Sequence, residues 1–262
     1  MHKRIRLNAA ALAGLLIILF FLIIAVFAPV IAPYDPKEMI ASYLPPSREH
    51  LLGTNDVGQD IFSEMVYGTR VSLYIGIFAA FIVTGVGTVL ALVSGYFGGV
   101  TDKIITAITN IAMAVPSLPL TVLLVAYLNP GKWSLIIAIS VTAWTGTARI
   151  LRSRVMQLKE LPFIKIEKTM GVHPVVILFK HILPNIKDII LTRGAMAISG
   201  AMMTEAGLSF LGLGEFGEKS WGSVLHYAFF RNSIMKKQYW WYVPPIICIC
   251  VCVFGFMLIG YY

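Results

Sequence analysis

Long runs without a charged residue constrain this chain more than any other feature. Leu7–Tyr34, Val71–Thr101, Ile104–Gly131, Trp133–Ala148 and Gln238–Tyr262 contain no Asp, Glu, Lys or Arg. Four of them exceed the roughly 20 residues that a helix needs to cross a bilayer core, and Trp133–Ala148 falls just short. A sixth apolar zone, Ile189–Gly214, is interrupted only by Arg193 and Glu205. Within hydrocarbon a backbone must satisfy its own polar groups, which a helix does. The sequence therefore predicts an all-α membrane protein with six transmembrane helices, at about 9–32, 71–98, 104–128, 133–151, 186–207 and 239–260. Composition agrees, because 58% of the 262 residues are hydrophobic and only 13% charged, against about 45–50% and about 25% in soluble domains. So few charges cannot cover a water-facing surface.

The net charge of +8 reads as membrane topology, since no compact basic domain exists to hold a nucleic-acid duplex. Met1–Arg6 is basic and Ala9–Ala32 apolar, as in a signal peptide. The apolar run outlasts the roughly 7–15-residue core of a cleavable signal, so it is expected to remain as an anchor with its basic end in the cytoplasm. Alternating crossings then make 33–70 and 208–238 extracytoplasmic loops, 152–185 a cytoplasmic loop, and both termini cytoplasmic. Twelve of the 21 Lys and Arg fall inside and eight outside, the bias expected of a protein of the cytoplasmic (inner) membrane. The whole of 1–262 reads as one transmembrane domain.

The most informative loop runs from Leu161 to Asn185. Pro162 suits a first helical turn, Gly171 permits a sharp break, and Pro174 suits the start of another helix. Pro184 marks entry into the next crossing. The expected geometry is a helix–Gly–helix elbow at the cytoplasmic face, with Ile164, Ile166 and Met170 beside Lys165, Glu167 and Lys168, able to sit in a groove on a partner.

Here the residues match a pattern. The segment resembles the cytoplasmic "EAA" loop of ATP-binding-cassette (ABC) importer permeases: Gly171 and His181-Ile182-Leu183-Pro184 fall on it, whereas Lys165, Ile166 and Glu167 stand where the pattern has Glu-Ala-Ala. Leu51–Gly76 resembles the signature that precedes the second helix in dipeptide, oligopeptide and nickel permeases of the "C" type. Leu52, Gly53, Thr54, Gly58, Asp60, Ser63, Gly68, Arg70, Ser72 and Leu73 match, while Asn55, Gln59 and Glu64 replace an acid and two arginines. Glu205–Gly214, Trp221-Gly222 and Trp240–Pro245 are similar to a third run of the same permeases. The resemblance implies a type I ABC importer permease fold, with Lys165, Ile166, Glu167, Lys168, Met170, Gly171, His181 and Pro184 in an ATPase-coupling loop. It implies as partners a homologous permease chain in a heterodimer, two ABC ATPase subunits carrying ATP-Mg, an extracytoplasmic substrate-binding protein and membrane lipid. No cofactor is expected on this chain itself, and no enzymatic activity.

Single residues carry weaker signals. Glu205, the lone acid inside the sixth apolar zone, either lines or braces a translocation pathway or caps a helix end at the outer interface. Arg193, twelve residues earlier, is expected to snorkel to the cytoplasmic headgroups. Asp60 and Glu64 stand at i, i+4 spacing, which suits acid–base chemistry or a cation; a solvated amphipathic turn packed by Ile61, Phe62, Met65 and Val66 is the simpler expectation. Gly212–Ser220 misses a phosphate-binding G-x-x-x-x-G-K-S loop by one residue. The five histidines, His2, His50, His173, His181 and His226, are scattered without metal-ligand spacing, and each reads as a loop residue. Cys248, Cys250 and Cys252 read as small apolar side chains. Trp221, Tyr239, Trp240, Trp241 and Tyr242 are expected to form an interfacial belt. The leading expectation is one half of a translocation pathway for di- or oligopeptides, with nickel or a nickel chelate as the alternative substrate. A stand-alone secondary transporter or channel would want more intramembrane charges and related halves, and a membrane protease would need a clustered nucleophile and base.

Overall fold

The computed structural model describes residues 9–215 and 217–261. The basic start Met1–Arg6, on which the inside placement of the N-terminus rests, lies outside the described residues, as do His2, Phe216 and Tyr262. The helices are α1 (Ala9–Val26), α2 (Ala28–Ile31), α3 (Ile61–Phe97), α4 (Gly99–Ala114), α5 (Ser117–Leu128), α6 (Lys132–Lys159), α7 (Pro162–Thr169), α8 (Pro174–Ile177), α9 (Leu183–Phe210), α10 (Trp221–Phe230) and α11 (Tyr239–Tyr261). One π-helical turn, Leu178–Ile182, joins α8 to α9. No strand forms among the described residues; an isolated bridge pairs Thr54 with Asp60.

Four helices, α1, α3, α6 and α11, are each long and apolar enough to cross a membrane. The expected span 104–128 is broken instead, with α4 and α5 meeting at 88°. The cause is local. Val115 is extended, with ψ 128°, because a residue ahead of proline is pushed out of the helical region, and Pro116 has no N–H to continue the ladder. Helix α9 has the length of a span but carries Lys187, Asp188, Arg193 and Glu205. It packs against α3, α6 and α11, which encloses Glu205 and half-buries Arg193, while Lys187 and Asp188 are exposed near its start.

Helix α3 starts at Ile61, ten residues ahead of the charge-free run, and extends over 37 residues, about 55 Å at 1.5 Å per residue. It lies along α6 and α9. The approach to α6 is close because Gly87 and Gly95 lack side chains. A Cβ on Gly87 would come within 2.9 Å of Thr147, and one on Gly95 within 2.8 Å of Val155, which is the use membrane helices make of small residues.

Three apolar clusters hold these elements. The first joins Ile18 and Phe21 of α1, Ile61 and Met65 of α3, Trp221 of α10, and Trp241, Cys252 and Phe256 of α11. The second sets Ile75 and Ala79 of α3 against Leu135, Ile136 and Ile139 of α6. The third gathers Tyr96, Val155, Leu158, Ile164, Ile177, Leu178, Ile182 and Ile186. Two of the expected belt residues are corrected here, since Trp221 and Trp241 are fully buried. Trp221 opens α10 inside the first cluster, donates its indole N–H to the Met65 carbonyl and stacks edge-on against Phe21. Burying that ring gains more than leaving it at an interface once its N–H has an acceptor. Arg193 does not reach for a helix end; its guanidinium lies against Gly146 of α6 and near Met196 Sδ. Cys252 is buried against Met202, whereas Cys250 is exposed on the outer face of α11.

Candidate functional site

The candidate residues fall at two ends of the helix bundle, which we term the elbow end and the cap end. At the elbow end, α7 stops at a glycine turn of the kind the sequence implies. Gly171 has φ +76°, a left-handed conformation that costs other residues about 1–2 kcal/mol. Its N–H donates to the Lys168 carbonyl, and the next N–H, of Val172, reaches back to Glu167, so the last carbonyls of α7 are satisfied. Pro174 then starts α8, whose first turn is capped by the His173 ring nitrogen accepting from Val175 N–H. Leu183 and Pro184 open α9.

The elbow has a fixed side and a free side. Ile164, Ile177 and Ile182 are buried against Tyr96, Val155 and Leu158, the elbow-end turns of α3 and α6. Each such burial contributes about 1.5–3 kcal/mol. Facing away, Ile166 is 58% and Met170 76% exposed. Lys165 reaches back to Glu160 at 2.9 Å and holds that exposed carboxyl below its ordinary value. Glu167 pairs with His181 Nε2 at 2.8 Å, tying α7 to the π turn. The acid displaced from the start of the pattern and the histidine of its ending therefore meet.

At the cap end, loop 33–60 folds over the start of α3. Asp60 is its keystone. One carboxylate oxygen accepts from the Ser63 N–H and Oγ at 2.8 Å, capping α3, and the other meets His50 Nδ1 at 2.9 Å. Thr54 Oγ1 donates to the Ala41 carbonyl and accepts from Leu44 N–H. Gly53 and Gly58 have φ +67° and +88°, and a Cβ on Gly53 would strike the Leu44 carbonyl at 2.3 Å. Gly68 leaves room for the Trp221 ring and the Lys219 backbone. Of the signature residues, Gly53, Thr54, Gly58, Asp60 and Gly68 thus build the cap, while Arg70 stands apart on an exposed face of α3.

The expectation of a solvated turn at Asp60 and Glu64 is wrong, because both are 1% exposed. Glu64 Oε1 accepts from Asn55 Nδ2 at 2.8 Å and from the Lys219 ammonium, which also reaches Gln59. His50, expected as a plain loop residue, is buried beside Asp60. Sequence reasoning misses this role for Asn55, Gln59 and Lys219; the signal that could have found it is that Asn55, Gln59 and Glu64 depart from the signature together. Asp60→Ala removes a helix cap and strands His50, so a loss of about 2 kcal/mol is expected, read as a lower thermal midpoint of the purified protein.

Glu205 is fully enclosed. Its oxygens accept from Ser72 of α3 at 3.1 Å and Ser209 at 2.7 Å, and Ser72 in turn accepts from Trp221 N–H. The carboxylate braces the junction of α3, α9 and α10. His226 is bonded to the Phe210 carbonyl. Among the described residues no three His, Cys, Asp or Glu gather as they would around a metal ion.

A cavity of about 920 Å³ opens beside the cap. Tyr67, Arg70, Val71 and Tyr74 of α3 form one wall, and Lys132, Lys219, Tyr227 and Arg231 stand around it. Lys132 pairs with Glu215 and Glu218, Lys219 with Glu64, and Arg231 with Asp56.

Comparison with known proteins shows the family of the chain. Residues 87–262 match the family described as binding-protein-dependent transport system inner membrane component, and residues 1–46 match the N-terminal transmembrane domain of oligopeptide transport permease C. The oligopeptide transport system permease protein OppC of Bacillus subtilis (strain 168) is 37% identical, over 98% of this chain and 84% of its own length. The glutathione transport system permease protein GsiD of Pectobacterium atrosepticum is 34% identical, over 99% of this chain and 86% of its own. Among solved structures, an inward-facing form of the MetNI methionine ABC transporter superposes with a TM-score of 0.62 at 17% identity, covering 77% of this chain and 94% of its own; the likeness is one of fold. A type I ABC importer permease fold, with the elbow at one end, is what the helices above compose. The chain belongs to the family of binding-protein-dependent transport inner membrane components, as a membrane-embedded permease of the oligopeptide and dipeptide branch.

Proposed function

We propose that this chain forms half of the translocation pathway of an ATP-driven importer of di- or oligopeptides. The observation that carries the reading is the elbow, an apolar knob of Ile166 and Met170 held outward on a turn braced from behind by Ile164, Ile177 and Ile182. An exposed apolar pair on a rigid support is what a partner's groove takes hold of. In this reading two ABC ATPase subunits, which bind ATP-Mg, dock on the elbow from the cytoplasm. A homologous permease chain supplies the other half of the pathway, and an extracytoplasmic binding protein delivers the peptide at the cap end. Both termini then lie in the cytoplasm, with α9 and the bent α4–α5 pair completing six crossings. Closing of the ATPases moves the elbow, and the packed helices pass this on as a rigid-body change that alternates access. The relatives named as oligopeptide, dipeptide and glutathione permeases support a peptide substrate over nickel.

Met170→Asp combined with Ile166→Asp puts two charges where a groove needs apolar surface, without touching the buried side. The ATPase subunits recovered with the purified chain are expected to fall at least about tenfold, with the chain still in the membrane. Unchanged recovery, or peptide uptake that survives ATP depletion in cells carrying the native chain, would overturn the proposal.

A further inference from the structure

The cavity beside the cap contains one helix-borne cation that no carboxylate among the described residues answers. Lys132, Lys219 and Arg231, which also line it, each meet a carboxylate. Arg70 pairs with no carboxylate among the described residues, is exposed, and lines the cavity from α3. Tyr67 and Tyr74 stand one helical turn to either side of it on the same face and line the same cavity. Lys37 and Asp35 also line the cavity without an ion-pair partner among the described residues, but both stand on the exposed loop of the cap, and Lys37 offers a point charge on a flexible stem. Arg70 is different in kind, because it offers a planar fork of donors from a rigid helix, the geometry that matches the two oxygens of a carboxylate. The volume, about 920 Å³, falls in the range of pockets that hold small ligands.

We propose that Arg70 is a binding residue for the free carboxylate of the transported peptide, which it takes up in the cap-end cavity with the rings of Tyr67 and Tyr74 flanking the chain. This deepens the reading of the protein as a peptide importer and rests on it. Every unmodified peptide ends in a free carboxylate, whatever its sequence. A guanidinium with no carboxylate partner among the described residues can hold that group whatever side chains precede it.

The test uses the full importer complex, purified with its permease and ATPase partners but without the binding protein, and two probes, trialanine and trialanine amide. The native complex is expected to bind the acid at least about tenfold more tightly than the amide, the range of a charge-assisted hydrogen-bonded pair. Arg70→Gln is expected to bind both alike, Arg70→Lys to keep part of the preference, and Lys37→Gln to leave it within about threefold. Equal binding of acid and amide by the native complex, no binding of either, or a preference that survives Arg70→Gln would overturn the proposal. An equal loss of both probes in Arg70→Gln would also overturn it, since Arg70 would then shape the cavity or a docking face rather than hold the carboxylate. Peptide uptake by cells depends on the importer as a whole, so failure of ATP-driven uptake identifies failure of the broader reading instead.

Discussion

Gly171→Pro is expected to abolish peptide uptake and the recovery of ATPase subunits with the chain, while leaving the chain in the membrane. Gly171 sits at φ +76°, and proline fixes φ near −65°, so the turn cannot form at all. The same substitution removes the N–H that donates to the Lys168 carbonyl. Nothing stands within 4 Å of where a Cβ would be, so the loss is one of backbone conformation and not of packing. Gly171→Ala therefore separates the two causes. It costs about 1–2 kcal/mol for a left-handed residue and is expected to retain partial uptake. The elbow lies outside the long apolar helices, and insertion should not depend on it. Uptake by Gly171→Pro at the native rate would show that the elbow's shape does not matter to transport.

The second large effect is expected at the opposite end. Lys219→Met leaves the Glu64 carboxylate, 1% exposed, with Asn55 as its remaining donor among the described residues. Removing one partner of a buried pair commonly costs about 3–5 kcal/mol. Lys219 is itself partly exposed, which sets the expectation at the lower end, about 3 kcal/mol. Its ammonium also lies 5.0 Å from the centre of the Tyr227 ring, and the attraction between cation and ring disappears with the charge. The destabilisation is read as a lower thermal midpoint of the purified complex. Adding Glu64→Gln removes the stranded charge while keeping an acceptor for Asn55, so the double variant is expected to recover more than half of the drop. Strictly additive effects would mean that the two side chains stabilise the cap independently.

These two expectations differ in how much of their basis could be read in the sequence. The elbow was legible because its geometry is written locally: Pro162, Gly171, Pro174 and Pro184 each restrict the backbone where they stand. The apolar runs were legible for the same reason. The cap was not. Glu64 and Lys219 are 155 residues apart, and Glu205 and Ser72 are 133 apart, and no periodicity carries information over such distances. The signature marked Asp60 and its neighbours but could not say that His50 closes on it. The break between α4 and α5 is an intermediate case, since Pro116 was in plain view. A count of apolar residues does not register that proline and its predecessor leave the helical region. A tryptophan between apolar runs looks the same in sequence whether it lies at an interface or, as Trp221 and Trp241 do, beneath another helix.

The length of α3 has a mechanical meaning. Asp60 and Glu64 anchor one tip of it in the cap, and Tyr96 anchors the other in the cluster that seats the elbow. Arg70 rides on the same unbroken stretch. A stiff lever about 55 Å long cannot be pushed at one tip without swinging at the other: a tilt of about 10° around its middle moves each tip by roughly 5 Å. A displacement of the elbow, passed to Tyr96 through the apolar cluster, would then reach the cap through a single piece of backbone.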